Sequence, residues 1–116
     1  MRIKQSICFP LFKPDSMPLE DVCKAAAEIG YAAIEFWDRR NEKQLGMPCE
    51  QVIETAKSHD LAVASIVGHG SLPDGLNKPE NHDRIESELR ESIDVAAEHG
   101  IPGLICFSGN RQPGLS

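Results

Sequence analysis

No stretch of this 116-residue chain approaches the ~20 consecutive apolar residues of a membrane-spanning helix. That absence predicts a protein without a membrane segment. The opening Met1-Arg2-Ile3-Lys4-Gln5 lacks the long apolar stretch of a secretory signal and leads directly into a strand pattern, which predicts residence in the cytoplasm. Positive charge is also scarce. With a formal net charge of -6, and Arg39-Arg40 as the only local basic pair, the sequence argues against a nucleic-acid partner, because phosphates need a basic surface. Cys8, Cys23, Cys49 and Cys106 form no Cys-x-x-Cys pair, so zinc or dithiol chemistry has no motif and buried free thiols are expected. Neither a Walker loop nor Gly-x-Gly-x-x-Gly occurs, which leaves nucleotide binding unsupported.

What is present is a recurring unit. Ala26-Ala27-Glu28-Ile29-Gly30-Tyr31-Ala32-Ala33-Ile34-Glu35-Phe36 is echoed by Ala96-Ala97-Glu98-His99-Gly100-Ile101-Pro102-Gly103-Leu104-Ile105-Cys106-Phe107, and more loosely from Ala56 through Asp60 to Ile66. In each copy an amphipathic helix ends at Gly or Asp and a short apolar strand follows at once. The length suits one domain, residues 1–116, with the order β-α-β-α-β-α-β.

Ile3 to Phe9 reads as the first strand, followed by a loop through Pro10, Pro14 and Asp15. Ser16 offers an N-cap, Pro18 a first-turn residue, and Leu19, Val22, Cys23, Ala26 and Ile29 a buried stripe ending at Gly30. Tyr31 to Trp37 is the second strand, and the polar run from Asp38 to Gln44 is a loop. Pro48 opens a helix with Val52, Ile53 and Ala56 inward, and Leu61 to Val67 is the third strand. The Gly- and Pro-rich segment from Gly68 to Pro79, including Ser71 and Leu72, is a long loop. The last helix places Ile85, Leu89, Ile93, Ala96 and Ala97 on one face, with Glu86 and Arg90 paired on another, and Leu104 to Phe107 is the fourth strand.

Strands joined only by helical crossovers must run parallel. A doubly wound sheet would bury both faces of each strand, whereas a (β/α)8 barrel has helices on one face and a polar-ended interior on the other. The alternation favours the barrel. Ile34 and Phe36 oppose Glu35 and Trp37; Ala62, Ala64 and Ile66 oppose Val63, Ser65, Val67 and His69; Ile105 and Phe107 oppose Cys106, Ser108 and Asn110. The expected fold class is therefore α/β, a parallel (β/α) half of a TIM barrel.

Together, the phrase Gly30-Tyr31-Ala32-Ala33-Ile34-Glu35-Phe36-Trp37, the ending Gly68-His69-Gly70 and the ending Cys106-Phe107-Ser108-Gly109-Asn110-Arg111 carry a family likeness. The chain resembles the N-terminal half of the xylose isomerase-like TIM barrel superfamily, and within it the hydroxypyruvate isomerase group. The resemblance implies a metal-assisted proton transfer next to a carbonyl of a small sugar or hydroxy-keto acid. It also implies that the metal ligands and the catalytic glutamates come from strands of a second half barrel. A divalent metal is accordingly expected only in a completed barrel, none on this chain alone, and no catalytic or metal-ligating residue is assigned here.

Five residues are candidates for substrate binding. His69 closes the third strand where barrel sites are built, and in related sugar isomerases and endonuclease IV-like barrels a histidine near this region contacts substrate or metal. Its alternative is a loop histidine bonded to nearby backbone. Glu35 either pairs with a polar group on a neighbouring strand, as burial of a carboxylate demands, or serves the substrate directly. Trp37 either stacks on a sugar or packs over the strand ends. Asn110, beside Ser108, and Arg111 form a set able to hold hydroxyls and a carboxylate, the guanidinium fork suiting the latter; the alternative is a fraying chain end. His59, His82 and His99 fall at helix ends or loops, where solvated roles are usual.

Two further readings stay open. A half barrel leaves strand edges exposed, which favours a homodimer, or a non-catalytic structural or interaction module. An endonuclease IV-like metallophosphodiesterase fragment is disfavoured by the negative charge and by Asn110 where a histidine ligand would be expected.

Overall fold

The computed structural model describes residues 3–12, 17–70 and 73–114. Eight elements follow in order: β1 (Ser6–Cys8), α1 (Leu19–Ile29), β2 (Ala33–Asp38), α2 (Glu42–Leu45), α3 (Cys49–Ser58), β3 (Ala62–Val67), α4 (His82–His99) and β4 (Gly103–Ile105), with 3-10 turns at Phe9–Leu11 and Pro79–Asn81. The strands form one sheet in the order β1-β2-β3-β4, every pair parallel. The fold is thus α/β with an all-parallel four-stranded sheet.

The repeat seen in the sequence is a repeat of helix endings. Tyr31, Leu61 and Ile101 each donate their N–H to the carbonyl five residues back, on Ala26, Ala56 and Ala96, at 2.9, 3.0 and 2.8 Å. The intervening Gly30, Asp60 and Gly100 take positive φ angles of 104, 58 and 70°. This is the bond that ends a helix in a left-handed residue and turns the chain into the next strand. All three acceptor alanines are buried, since a larger side chain there would separate helix from sheet.

One apolar cluster joins Val22, Cys23 and Ala26 of α1, Val52, Ile53 and Ala56 of α3, and Ala96 of α4 to Ile34, Phe36, Val63 and Ile66 of the sheet. The helices cover that sheet face. Ser6, Cys8, Glu35 and Ser65 lie on the other, where the register aligns Cys8 with Glu35, Glu35 with Ser65, and Ser65 with Gly103.

Several expectations need correction. β1 is shorter than Ile3 to Phe9, because Pro10 has no N–H to give a ladder and the chain turns at Phe9–Leu11. The expected cap Ser16 and the loop residues Pro14, Asp15, Ser71 and Leu72 lie outside the described residues; Pro18 occupies the N-cap position of α1. Ile29 does not join the buried stripe but is 74% exposed. The polar run after β2 is not all loop: Asn41 caps α2 by accepting from the Gln44 N–H at 3.1 Å, and Leu45 is fully buried.

On α4 the buried positions are Ile85, Ser92 and Ala96 with Leu89 half-buried, whereas Ile93 and Ala97 face outward. The inward stripe steps by four, three and four residues from Ile85 and so selects Ser92 over Ile93. The Glu86–Arg90 pair forms as expected at 2.7 Å on the exposed side.

The strand alternation holds for β2 but not throughout. Ile34 pairs with Val63 while Glu35 pairs with Ser65, so Ala64 is an extra residue, and Val63 joins Ile66 on the helix-covered face rather than Ser65 and Val67. On β4 the phase is inverted. Leu104, paired with Ile66, packs against the core, and Ile105 and Phe107 turn to the opposite side.

Candidate functional site

A cavity of about 440 Å³ opens beyond the carboxyl ends of β2, β3 and β4. Parallel sheets concentrate ligand sites at this end, where strand termini and the following loops converge. Its walls are mostly apolar, from Trp37, Val67, Ile105 and Phe107, and Asp38, Asn41 and Gln44 supply polar groups. His69 and Gly70 complete it on the β3 side.

A second irregularity in β2 brings this lining together. Glu35 pairs with Ser65 and Asp38 with Val67, so three steps along β2 match two along β3. The surplus residue is a bulge, and past it Trp37 and the adjacent Asp38 both line the cavity. Asp38 is held in turn by Arg40, whose backbone N–H and Nε donate to Oδ1 at 3.0 and 2.9 Å. Trp37 is partly exposed on the cavity wall, and its indole acts on the Cys8 thiol of β1. Burial pushes that thiol up, the Trp37 hydrogen bond opposes the rise, and the Glu35 carboxylate adds to it.

His69 is fully buried. Its Nε2 accepts the backbone N–H of Phe107 at 2.9 Å, and the two rings meet edge to face with centroids 5.7 Å apart. Because Nε2 is an acceptor, the proton of the neutral ring sits on Nδ1. That Nδ1 is buried and has no hydrogen-bond partner among the described residues. A donor left in this state costs ~1–3 kcal/mol.

The loops around the cavity are tied to one another. Leu76 and Asn77 donate their N–H groups to the carbonyls of Phe107 and Ser108 at 3.2 and 2.7 Å, and Asn77 Nδ2 donates to the Asn110 carbonyl at 2.8 Å. β4 therefore stops at Ile105: the peptide groups of Phe107 are spent on His69 and Leu76 rather than on a ladder.

Behind the His69 turn, Glu88 Oε2 accepts from the Gly70 N–H at 3.1 Å and Oε1 from Arg84 at 3.0 Å, with Arg40 at 3.4 Å. Burial alone would raise the Glu88 carboxyl; the Gly70 bond and the two guanidinium groups outweigh it and hold it below the usual range.

Of the residues singled out in the sequence, Trp37 and His69 meet at the cavity. Glu35 sits lower on the same sheet face, outside the lining, with Oε1 accepting from the Ser6 hydroxyl of β1 at 2.5 Å. The neighbouring-strand pairing anticipated for it is what forms. Asn110 and Arg111 are exposed and do not line the cavity; Arg111 borders a separate shallow groove with Gln112, Pro113 and Gly114. Asp38, Asn41 and Gln44 were missed because their polar run reads as solvated loop, although a polar run directly after a parallel strand is itself a signal for a site.

The side chains of two of the remaining histidines have partners. His59 approaches Glu20 at 3.1 Å, and His82 is within 2.8 Å of the Leu76 carbonyl. Among the described residues no group of three or more His, Cys, Asp or Glu side chains could hold a metal ion, and no helix is long and apolar enough to cross a membrane. Neither protein-family models nor curated proteins match the chain.

Proposed function

We propose that the chain forms the N-terminal half of a xylose isomerase-like barrel and contributes one wall of the site of a sugar or keto-acid isomerase or epimerase resembling hydroxypyruvate isomerase. The observation that carries this reading is the buried His69, protonated on Nδ1 and unpartnered there, beside a cavity at the carboxyl ends of three parallel strands.

The ligand is a small sugar or hydroxy-keto acid. His69 offers its Nδ1–H to a carbonyl or hydroxyl oxygen, and Trp37 and Phe107 wall the carbon skeleton. Asp38, Asn41 and Gln44 meet the remaining hydroxyls. With Nε2 engaged by Phe107, His69 in this state binds and polarises but does not take up a proton. The metal implied by the family resemblance has no ligand set among the described residues. In this reading the chain's part is binding and orientation, and proton transfer belongs to a completed barrel.

Completion by a second copy would use the two sheet edges, β1 and β4. A second reading, a non-catalytic interaction module in the cytoplasm, is favoured by the shallow apolar groove along α4 and β4, where Ile93 is 54% exposed.

Trp37, the only tryptophan of the sequence, reports on the cavity. Saturable quenching of its fluorescence by a hydroxy-keto acid or ketose, weakened about tenfold in His69→Ala by loss of one good hydrogen bond, is the expected result. Light scattering and an isomerase assay with added divalent metal accompany the titration. Absence of any saturable response or turnover, with a stable self-association, would favour the interaction module.

A further inference from the structure

A serine occupies the buried stripe of α4, where apolar packing would call for an aliphatic residue. Ser92 is fully buried, and its hydroxyl donates to the Gly68 carbonyl at 2.7 Å while accepting from Arg39 Nε at 3.2 Å. One turn earlier on the same helix, Glu88 Oε2 accepts the Gly70 N–H at 3.1 Å. Positions four apart lie on one helix face. The residues on either side of His69 are thus each held by a side chain of α4, the carbonyl before it and the amide after it.

The spacing leaves little room for adjustment. A Cβ on Gly68 would lie 2.6 Å from Leu89 Cδ2, so the turn runs close against α4 between its two anchors. From the far side, Phe107 fixes the ring through Nε2. Three independent hydrogen bonds therefore bear on one buried side chain and its two neighbours.

We propose that Ser92 and Glu88 are positioning residues that hold the His69 turn, and with it a ring that lines the cavity, so that the ring keeps its proton on Nδ1. The proposal rests on the reading of that cavity as a ligand site. A buried hydroxyl adds little to stability over an apolar side chain of similar shape, whereas its directed bond fixes where a backbone carbonyl lies. Arg39 completes the arrangement by spanning from Ser92 to Glu91, at 2.9 Å, which ties the loop after β2 to the same helix.

The test is nitrogen-15 NMR of the histidine rings together with amide hydrogen exchange on the full chain. In the wild type, His69 should show the single pattern of a ring protonated at Nδ1, with a slowly exchanging Phe107 amide. Ser92→Ala and Glu88→Ala should each mix the two ring tautomers and speed Phe107 exchange about tenfold relative to amides of α1, whereas Glu88→Gln, which keeps an acceptor, should restore the wild-type pattern. A purely structural role would speed exchange of Phe107 and α1 alike and leave the tautomer unchanged; that result overturns the proposal. If Ser92→Ala fails to fold, Glu88→Ala, altered at a half-buried surface position, decides by the same signals. Titration of the wild type with a hydroxy-keto acid is read separately. No ligand response alongside an intact tautomer response would overturn the ligand site and leave the positioning role standing.

Discussion

The backbone N–H of Phe107 donates to Nε2 of His69 at 2.9 Å, joining residues 38 positions apart in the chain. The bond sets the tautomer of a buried imidazole, and it ends β4 by withdrawing a peptide group from the sheet. The support of Phe107 by the β3–α4 loop is therefore part of the construction of the cavity.

That support depends on Gly75. A Cβ there would lie 2.4 Å from the Gly109 nitrogen and 2.5 Å from the Phe107 oxygen, both backbone atoms that cannot swing aside. Gly75→Ala is expected to break the bonds from Leu76 and Asn77 to Phe107 and Ser108 and to cost about 1–3 kcal/mol, as overpacking does. Urea denaturation measures the loss, and a faster-exchanging Phe107 amide locates it.

The core should distinguish two apolar residues that look alike in the sequence. Phe36 is fully buried among the helices, and Phe36→Ala should cost about 3–5 kcal/mol. Ile29 is 74% exposed at the end of α1, and Ile29→Ser should stay within about 0.5 kcal/mol of wild type. Paired denaturation curves check both.

The thiols should separate by accessibility and ionisation. Burial, followed by the nearby Glu20 and Glu50 carboxylates, raises Cys23 and Cys49 to about 11 each, while Cys106 is exposed. A thiol reagent at pH 8 is expected to modify Cys106 rapidly and Cys23 and Cys49 only on unfolding. Because the unfolded thiols ionise before the folded ones, stability should fall as pH rises from about 9 toward 11. Thermal melts across that range, compared with a Cys23→Ala and Cys49→Ala double variant, measure the slope.

Glu88 should contribute at the acid end. Its carboxyl is held below the usual range because the Gly70, Arg84 and Arg40 contacts outweigh the effect of burial, so its stabilisation is complete above the ordinary glutamate value and is lost as pH falls through the lowered one. Glu88→Gln is expected to flatten the acid limb of a stability-against-pH curve. An unchanged limb would show that other carboxylates set it.

Sequence alone determined the elements that rest on local signals. Gly30, Asp60 and Gly100 mark three helix endings of one geometry because the left-handed turn and its backward hydrogen bond are local. The parallel sheet followed from the crossovers, and the buried face of β2 from a period of two at Ile34 and Phe36. Trp37 and His69 both line the cavity, Trp37 from the carboxyl end of β2 and His69 from the turn just after β3, the end of a parallel strand where the sequence points to a site.

Tertiary structure decided the rest. The bulges at Ala64 and beyond Glu35 reset which residues share a face, and a one-residue change of phase carries no composition signal. Ser92 sits buried on the inner stripe with its hydroxyl satisfied by the Gly68 carbonyl and Arg39, partners 24 and 53 positions away that no local pattern announces. The proton on His69 was likewise fixed by Phe107, and Asp38 gained its place beside the cavity from strand pairing. Local propensity and periodicity act within a few residues and are legible along the chain. Register, buried polar pairing and the convergence of loops depend on contacts between distant segments, and they exist only once the sheet has formed.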